Sequence, residues 1–195
     1  MTAEYQLSLD LVDPDNTNER AKGLLGDAKS NLGFVPNMYA GMANAPGLLD
    51  TYLHGYKLFR EESGFEPAEQ EVVFLTISYD NGCHYCMAAH SMIADKASGV
   101  PEAVTEAIRA GKPIADEKLA ALAGFTRRMV NTGGKPANAD VRAFLNAGYS
   151  ERHILEIILA IAVKTLSNYS NHVFHTPVDE VFAAYKWSPA DARAA

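Results

Sequence analysis

Apolar residues recur along this chain at spacings of three and four, the repeat of a helix that lays one face on a core. No clean alternation with a period of two appears, and no Asn-Gly turn joins two alternating runs, so strands are not expected. The helical runs are punctuated by residues that start and stop helices. Asn16 or Thr17 is placed to cap a first helix that Gly33 ends. FVPNMYAGMANAP reads as a short helix and turn. Pro46 then sits in the first turn of GLLDTYLHGYKLFREE. Pro67 opens the helix of FEPAEQEVVFLTISYDNG, which Asn81-Gly82 closes, and Cys83 opens the next, stopped by Gly99. PEAVTEAIRAG, ADEKLAALAGFTRRMVNTGG and ANADVRAFLNAG follow as separate helices. The longest starts near Ser150, with Glu151 in its first turn, and runs through HILEIILAIAVKTLSNYSN. A final helix is expected from Asp179 to Tyr185, and the terminal ADARAA is expected to fray. The predicted class is all-α, one helical domain over residues 1–195, with short connections that favour antiparallel neighbours.

An internal repeat is suggested within this pattern. Glu71 to His90 spans the same interval as Glu156 to His175, and the overlay aligns the apolar runs. Asn168 and Asn171 then fall where Cys83 and Cys86 lie. This predicts a duplicated helix pair, residues 67–99 against 150–178.

Composition narrows the classes of function. The 195 residues carry a formal net charge of -7, which argues against nucleic acid or an anionic membrane surface as the main partner. The start, MTAEYQLSLDLVDPDNTNER, has neither the basic nor the apolar segment of a signal peptide. The longest apolar stretch, around Ile154 to Val163, carries Glu156 and is too short to span a bilayer. A cytoplasmic protein is expected, and there a lone cysteine pair is catalytic or metal-binding more often than a staple.

Both cysteines lie in CHYCMAAHS, residues 83–91. Cys83, Cys86 and His90 stand at i, i+3 and i+7 and so share one helix face. The positive end of the helix dipole favours a thiolate in the first turn, and His90 is placed to take the proton or to stabilise the thiolate as imidazolium. Cys86, beside the histidine, is the candidate attacking sulfur. Cys83, at the helix end expected to be more exposed, is the candidate resolving sulfur. Glu71 is the candidate group to orient His90, since an isolated carboxylate on an apolar helix is costly. Counted from the turn at ~1.5 Å per residue, Glu71 lies roughly 18 Å along its helix and His90 roughly 10 Å, so a simple hairpin does not guarantee their contact. Two other readings stay open for the pair: buried apolar thiols, or a zinc site of Cys83, Cys86 and His90 with a fourth ligand. His54, His153, His172 and His175 read as surface, capping or core residues.

The spacing Glu-x11-Cys-x2-Cys-x3-His, here Glu71, Cys83, Cys86 and His90, resembles the signature of the alkylhydroperoxidase D and carboxymuconolactone decarboxylase superfamily. Tyr85 and Met87-Ala88-Ala89 fit the same pattern, and GFVPNMYAGMANAPGLLDTY resembles its longer, peroxidase-related branch. The resemblance covers roughly residues 33–185. It implies an alkylhydroperoxidase D-like helical bundle, a homo-oligomer (commonly a trimer or hexamer), and a relay from Glu71 through a neighbour and His90 to Cys86. The neighbour just before the second cysteine is histidine in alkylhydroperoxidase D and Tyr85 here. The implied activity is a thiol-dependent, peroxiredoxin-type peroxidase. It takes a hydroperoxide and a dithiol reductant or reductase protein as partners, with no cofactor and no metal. The competing expectations are a lyase resembling carboxymuconolactone decarboxylase, and a non-catalytic redox-sensitive or metal-binding helical oligomer.

Overall fold

The computed structural model describes residues 4–188, and the terminal ADARAA lies outside them. Among the described residues there is no strand, and the all-α expectation holds. The helices are α1 (Glu19–Leu32), α2 (Asn37–Met42), α3 (Pro46–Glu62), α4 (Pro67–Asp80), α5 (His84–Lys96), α6 (Glu102–Arg109), α7 (Glu117–Asn131), α8 (Asn138–Asn146) and α9 (Glu151–Phe174). The final segment, Glu180–Tyr185, is a 3₁₀ turn rather than an α-helix. The cap of α1 is Asn18, not Asn16 or Thr17, because its side-chain oxygen reaches the Ala21 amide at 3.0 Å. Gly33 ends α1 in the left-handed conformation, where a residue without Cβ is unstrained.

Helix α4 is the centre of the molecule. It packs against α5, α6, α7 and α9, and every residue from Glu69 to Ser78 is buried. A helix enclosed on all sides takes its polar residues into the core, so each needs a partner there. The Pro67 start and a capping box between Glu66 and Glu69 fix where it begins.

Helix α3 lies on α9 through Gly55. A Cβ placed there would come within 2.9 Å of Val163 Cγ2. That contact sets how closely α3, which carries Tyr56 and Arg60, approaches α9. Gly55→Leu is therefore expected to lower unfolding stability by about 1–3 kcal/mol through overpacking. Urea denaturation checks this, and an unchanged midpoint would show that the two helices separate freely.

The helix-pair repeat is not present. Glu71 and His90 lie on two helices joined by a tight turn, whereas α9 runs unbroken from Glu151 to Phe174. Glu156 and His175 therefore stand about 28 Å apart along one axis, at 1.5 Å per residue. Asn81-Gly82 breaks the first segment, and Lys164 to Asn168 offers no equivalent breaker in the second. Glu156 pairs with Arg152, and His175 ends α9 with a φ of 49°. Among the described residues, no helix is long and apolar enough to cross a membrane.

Candidate active site

The turn from α4 to α5 sets the position of the cysteines. The Cys83 amide donates to the Ser78 carbonyl at 2.9 Å, and Cys83 becomes the N-cap of α5 with extended backbone. The helix thus begins at His84, one residue later than expected. Cys86 falls in the first turn and His90 one turn further, on the same face. Both cysteines are free thiols, and both are buried. The expectation that Cys83 would be the more exposed sulfur is not met, because α2 and the C-terminal half of α9 cover that end of α5. Met38 of α2 and Asn171 of α9 meet there, with Asn171 Nδ2 3.2 Å from Met38 Sδ.

Helix α9 presents a matching stripe. Lys164, Ser167 and Asn171 also stand at i, i+3 and i+7, and all are buried. Asn171 Nδ2 lies 3.3 Å from Cys86 Sγ and 3.8 Å from Cys83 Sγ. Ser167 Oγ lies 3.9 Å from Cys86 Sγ. Lys164 and Ser167 are not among the residues that the sequence points to, and Asn171 is reached there only through the repeat overlay. A visible signal was available: three polar residues at helical spacing, following the apolar inward positions Ile157, Ala160 and Val163 of the same helix.

Glu71 and His90 meet directly, Oε2 to Nδ1 at 2.8 Å. From the observed helix ends, Asp80 and His84, the two sites are offset by only about 4.5 Å along the axes, within side-chain reach. The hairpin count failed because it treated the turn residues as helix. Arg60 donates to the other Glu71 oxygen and to the Tyr56 hydroxyl, the latter at 2.7 Å. Phe74 and Tyr56 enclose the imidazole, with ring centroids 4.9 and 6.5 Å from it.

The electrostatics follow from these contacts. Burial opposes the Glu71 carboxylate, but His90 and Arg60 outweigh it and hold its pKa below the ordinary 4.5. An ionised Glu71 only accepts, so His90 carries its proton on Nδ1 and leaves Nε2 bare. Burial and the Lys164 charge keep the His90 pKa below 6.5 against the pull of Glu71. His90 is thus a neutral base near pH 7, not an imidazolium. Burial alone would raise the Cys86 thiol. A hydrogen bond with the Cys83 thiol, the Lys164 charge and His90 reverse this and bring Cys86 well below its ordinary 9. Burial and the same bond push Cys83 well above it. The surroundings therefore favour the thiolate at Cys86 over the thiolate at Cys83.

Tyr85 is not brought into this chain of groups. Its hydroxyl donates to Asp179, which also accepts from the Asn37 amide at 3.1 Å and so ties the C-terminal segment to α2. Burial and Asp179 raise the Tyr85 pKa. The direct Glu71–His90 contact leaves no gap for an intermediate residue to bridge. Among the described residues, no group of three or more His, Cys, Asp or Glu is placed to hold a metal ion. A cleft of about 870 Å³ reaches the site between Tyr5, the start of α5 and the end of α9, with Cys83 and Asn171 in its wall.

Residues 46–128 match the carboxymuconolactone decarboxylase family, a segment holding Arg60, Glu71, both cysteines and His90 but not the α9 stripe. No curated protein matches the chain. Among solved structures, the chain is similar to a peroxidase-related protein with an alkylhydroperoxidase AhpD core from Ralstonia eutropha JMP134. The TM-score is 0.77 at 18% identity, over 89% of this chain and 93% of that one. A peroxidase-related protein from Silicibacter sp. TM1040 gives 0.74 at 20% identity, over 93% and 95%. A cysteine-to-alanine variant of the debrominase Bmp8, in complex with 2,3,4-tribromopyrrole, gives 0.75 at 17% identity, over 94% and 97%. At these identities the likeness is one of fold. Residues 46–128 thus carry the carboxymuconolactone decarboxylase family match, within an all-helical fold similar to that of the AhpD-core protein.

Proposed function

We propose that the chain is a dithiol oxidoreductase that reduces hydroperoxides. The supporting observation is the arrangement of the dithiol: Cys83 and Cys86 lie as buried free thiols under the Asn171 amide, with His90 held by Glu71 one turn further along the same face. The Cys86 thiolate attacks the terminal peroxide oxygen and breaks the O–O bond. Cys86 takes up the terminal OH as a sulfenic acid, and the leaving alkoxide departs as the alcohol after taking the proton that Cys86 gave up on ionising. The Cys83 thiol condenses with the sulfenic acid, giving the Cys83–Cys86 disulfide and water. A dithiol donor then returns two electrons and two protons and is itself oxidised. Tyr5 and His84 at the cleft mouth, with Cys83 in its wall, suit delivery of the donor to Cys83.

Rapid-quench alkylation with mass spectrometry tests this. Peroxide-dependent formation of the disulfide, much faster than oxidation of free dithiothreitol, is expected. Oxidation no faster than that of the free dithiol would overturn the reading. Likeness to a debrominase favours a second reading on the same thiols: an aryl halide and two thiols give the arene, hydrogen halide and the disulfide. Stoichiometric bromide release from a brominated aromatic would select it. Lactone turnover that survives loss of both cysteines would select the lyase reading instead.

The homo-oligomer is part of the same proposal. Helix α9 leaves Leu155, Ile158, Tyr169 and Val173 exposed along one edge, an apolar stripe suited to a second copy. Light scattering after size exclusion is expected to give a mass at least twice 21.1 kDa. A cytoplasmic setting, where thiols are kept reduced, completes the proposal.

A further inference from the structure

We propose that Lys164 is a positioning residue of the dithiol site, the buried cation that holds Cys86 as a thiolate. The inference rests on the reading of Cys86 as the attacking sulfur. Lys164 is only 1% exposed, and its Nζ makes no hydrogen bond of ordinary geometry. A buried ammonium without a partner is costly unless an anion lies near. Its position is fixed by Phe74, whose ring centroid is 5.5 Å from Nζ and 4.9 Å from the His90 ring. One helical turn further along α9 is Ser167, in contact with Cys86.

Counting charges identifies the anion. Helix α4 contributes Glu71, both of whose oxygens are already taken by Arg60 and His90. Helix α3 contributes the Arg60 cation and the phenols of Tyr52 and Tyr56, and α2 contributes Tyr39. Burial raises the pKa of all these phenols, so they are neutral. Helix α5 adds Cys83, Tyr85 and His90, each held in its neutral form. His172, on α9 itself, is kept neutral by burial. From α7, Arg127 and Lys118 are turned away to Asp80 and Glu69. The Asp179 carboxylate of the C-terminal segment is turned to Tyr85 and the Asn37 amide, so around Lys164 and His90 what remains is Arg60 and Lys164 against Glu71, one positive charge in excess. Ionisation of Cys86 makes the cluster neutral, whereas protonation of His90 would add a second excess charge. The same cation therefore favours the thiolate and keeps His90 free as a base. Lys164 lies outside the segment that matches the family, so the signature residues do not disclose it.

The test is a titration of the reduced protein by thiolate absorbance at 240 nm, with Cys86→Ser as the blank. Wild type is expected to hold the Cys86 thiolate at pH 7. Lys164→Met is expected to move the midpoint up by more than one pH unit, a tenfold or greater loss of thiolate below that midpoint. Lys164→Arg is expected to restore most of it. A residue that merely filled space would change the melting temperature and leave the midpoint in place. Far-UV circular dichroism establishes that the methionine variant is folded, and Lys164→Gln serves if it is not. An unmoved midpoint in the folded variant overturns the inference. The titration uses no peroxide. A wild-type thiolate that ignores peroxide would therefore sink the peroxidase reading while the midpoint shift still decided the role of Lys164.

Discussion

Serine at Cys86 is expected to abolish peroxide turnover while leaving the helical fold in place. The substitution is nearly isosteric and keeps a group that Ser167 and Asn171 can reach. It removes the one atom that the Lys164 charge can hold ionised near neutral pH, and a neutral hydroxyl is a weak nucleophile. Turnover should fall to the rate without protein. Serine at Cys83 should behave differently. The Cys86 thiolate remains and still reacts once, but no resolving thiol follows, so one equivalent of peroxide is consumed and a sulfenic acid persists on Cys86. Dimedone labelling with mass spectrometry reads both variants. Full turnover by the Cys86→Ser protein would end the assignment of roles.

Alanine at Glu71 is expected to cost about 3–5 kcal/mol of stability at neutral pH, the usual consequence of breaking a buried ion pair by removing one partner. Glu71 is fully enclosed, and its loss leaves the Arg60 and Lys164 cations with Cys86 as their only counter-charge. His90 also loses the acceptor that fixes its tautomer, so Nε2 is no longer held free as the base. The pH dependence has a definite direction. The folded pKa of Glu71 lies below 4.5, so its stabilisation is fully present above pH 4.5. It is lost as pH falls through the folded value, because the unfolded chain takes up the proton first. Urea melts should therefore show the gap between wild type and Glu71→Gln narrowing from pH 5 to pH 3. A gap that stays constant over that interval would show that the carboxylate charge is not what stabilises the core.

Much of this was determined by the sequence alone. Helical spacing, the prolines at the starts of α3 and α4, and Gly33 or Asn81-Gly82 at helix ends are local signals, settled by backbone sterics within a turn or two. The common face of Cys83, Cys86 and His90 is equally local, since it follows from 3.6 residues per turn. Tertiary structure decided the rest, because the remaining features depend on which helix faces which. Spacing could not tell that Glu71 would be enclosed between Arg60 and His90 rather than solvated in a first turn. It could not tell that Tyr85 would bond Asp179, residue 179 being distant in the chain and near only after the C-terminal segment docks. The apparent repeat failed for the same reason, as similar apolar runs are compatible with either a hairpin or one long helix, and only a breaker residue chooses between them. The electrostatic character of Cys86 was the least legible feature. Beside the neighbouring Cys83 thiol it depends on Lys164, about 80 residues away on α9, and a thiol's pKa is set by the groups that folding places within a few ångströms of it.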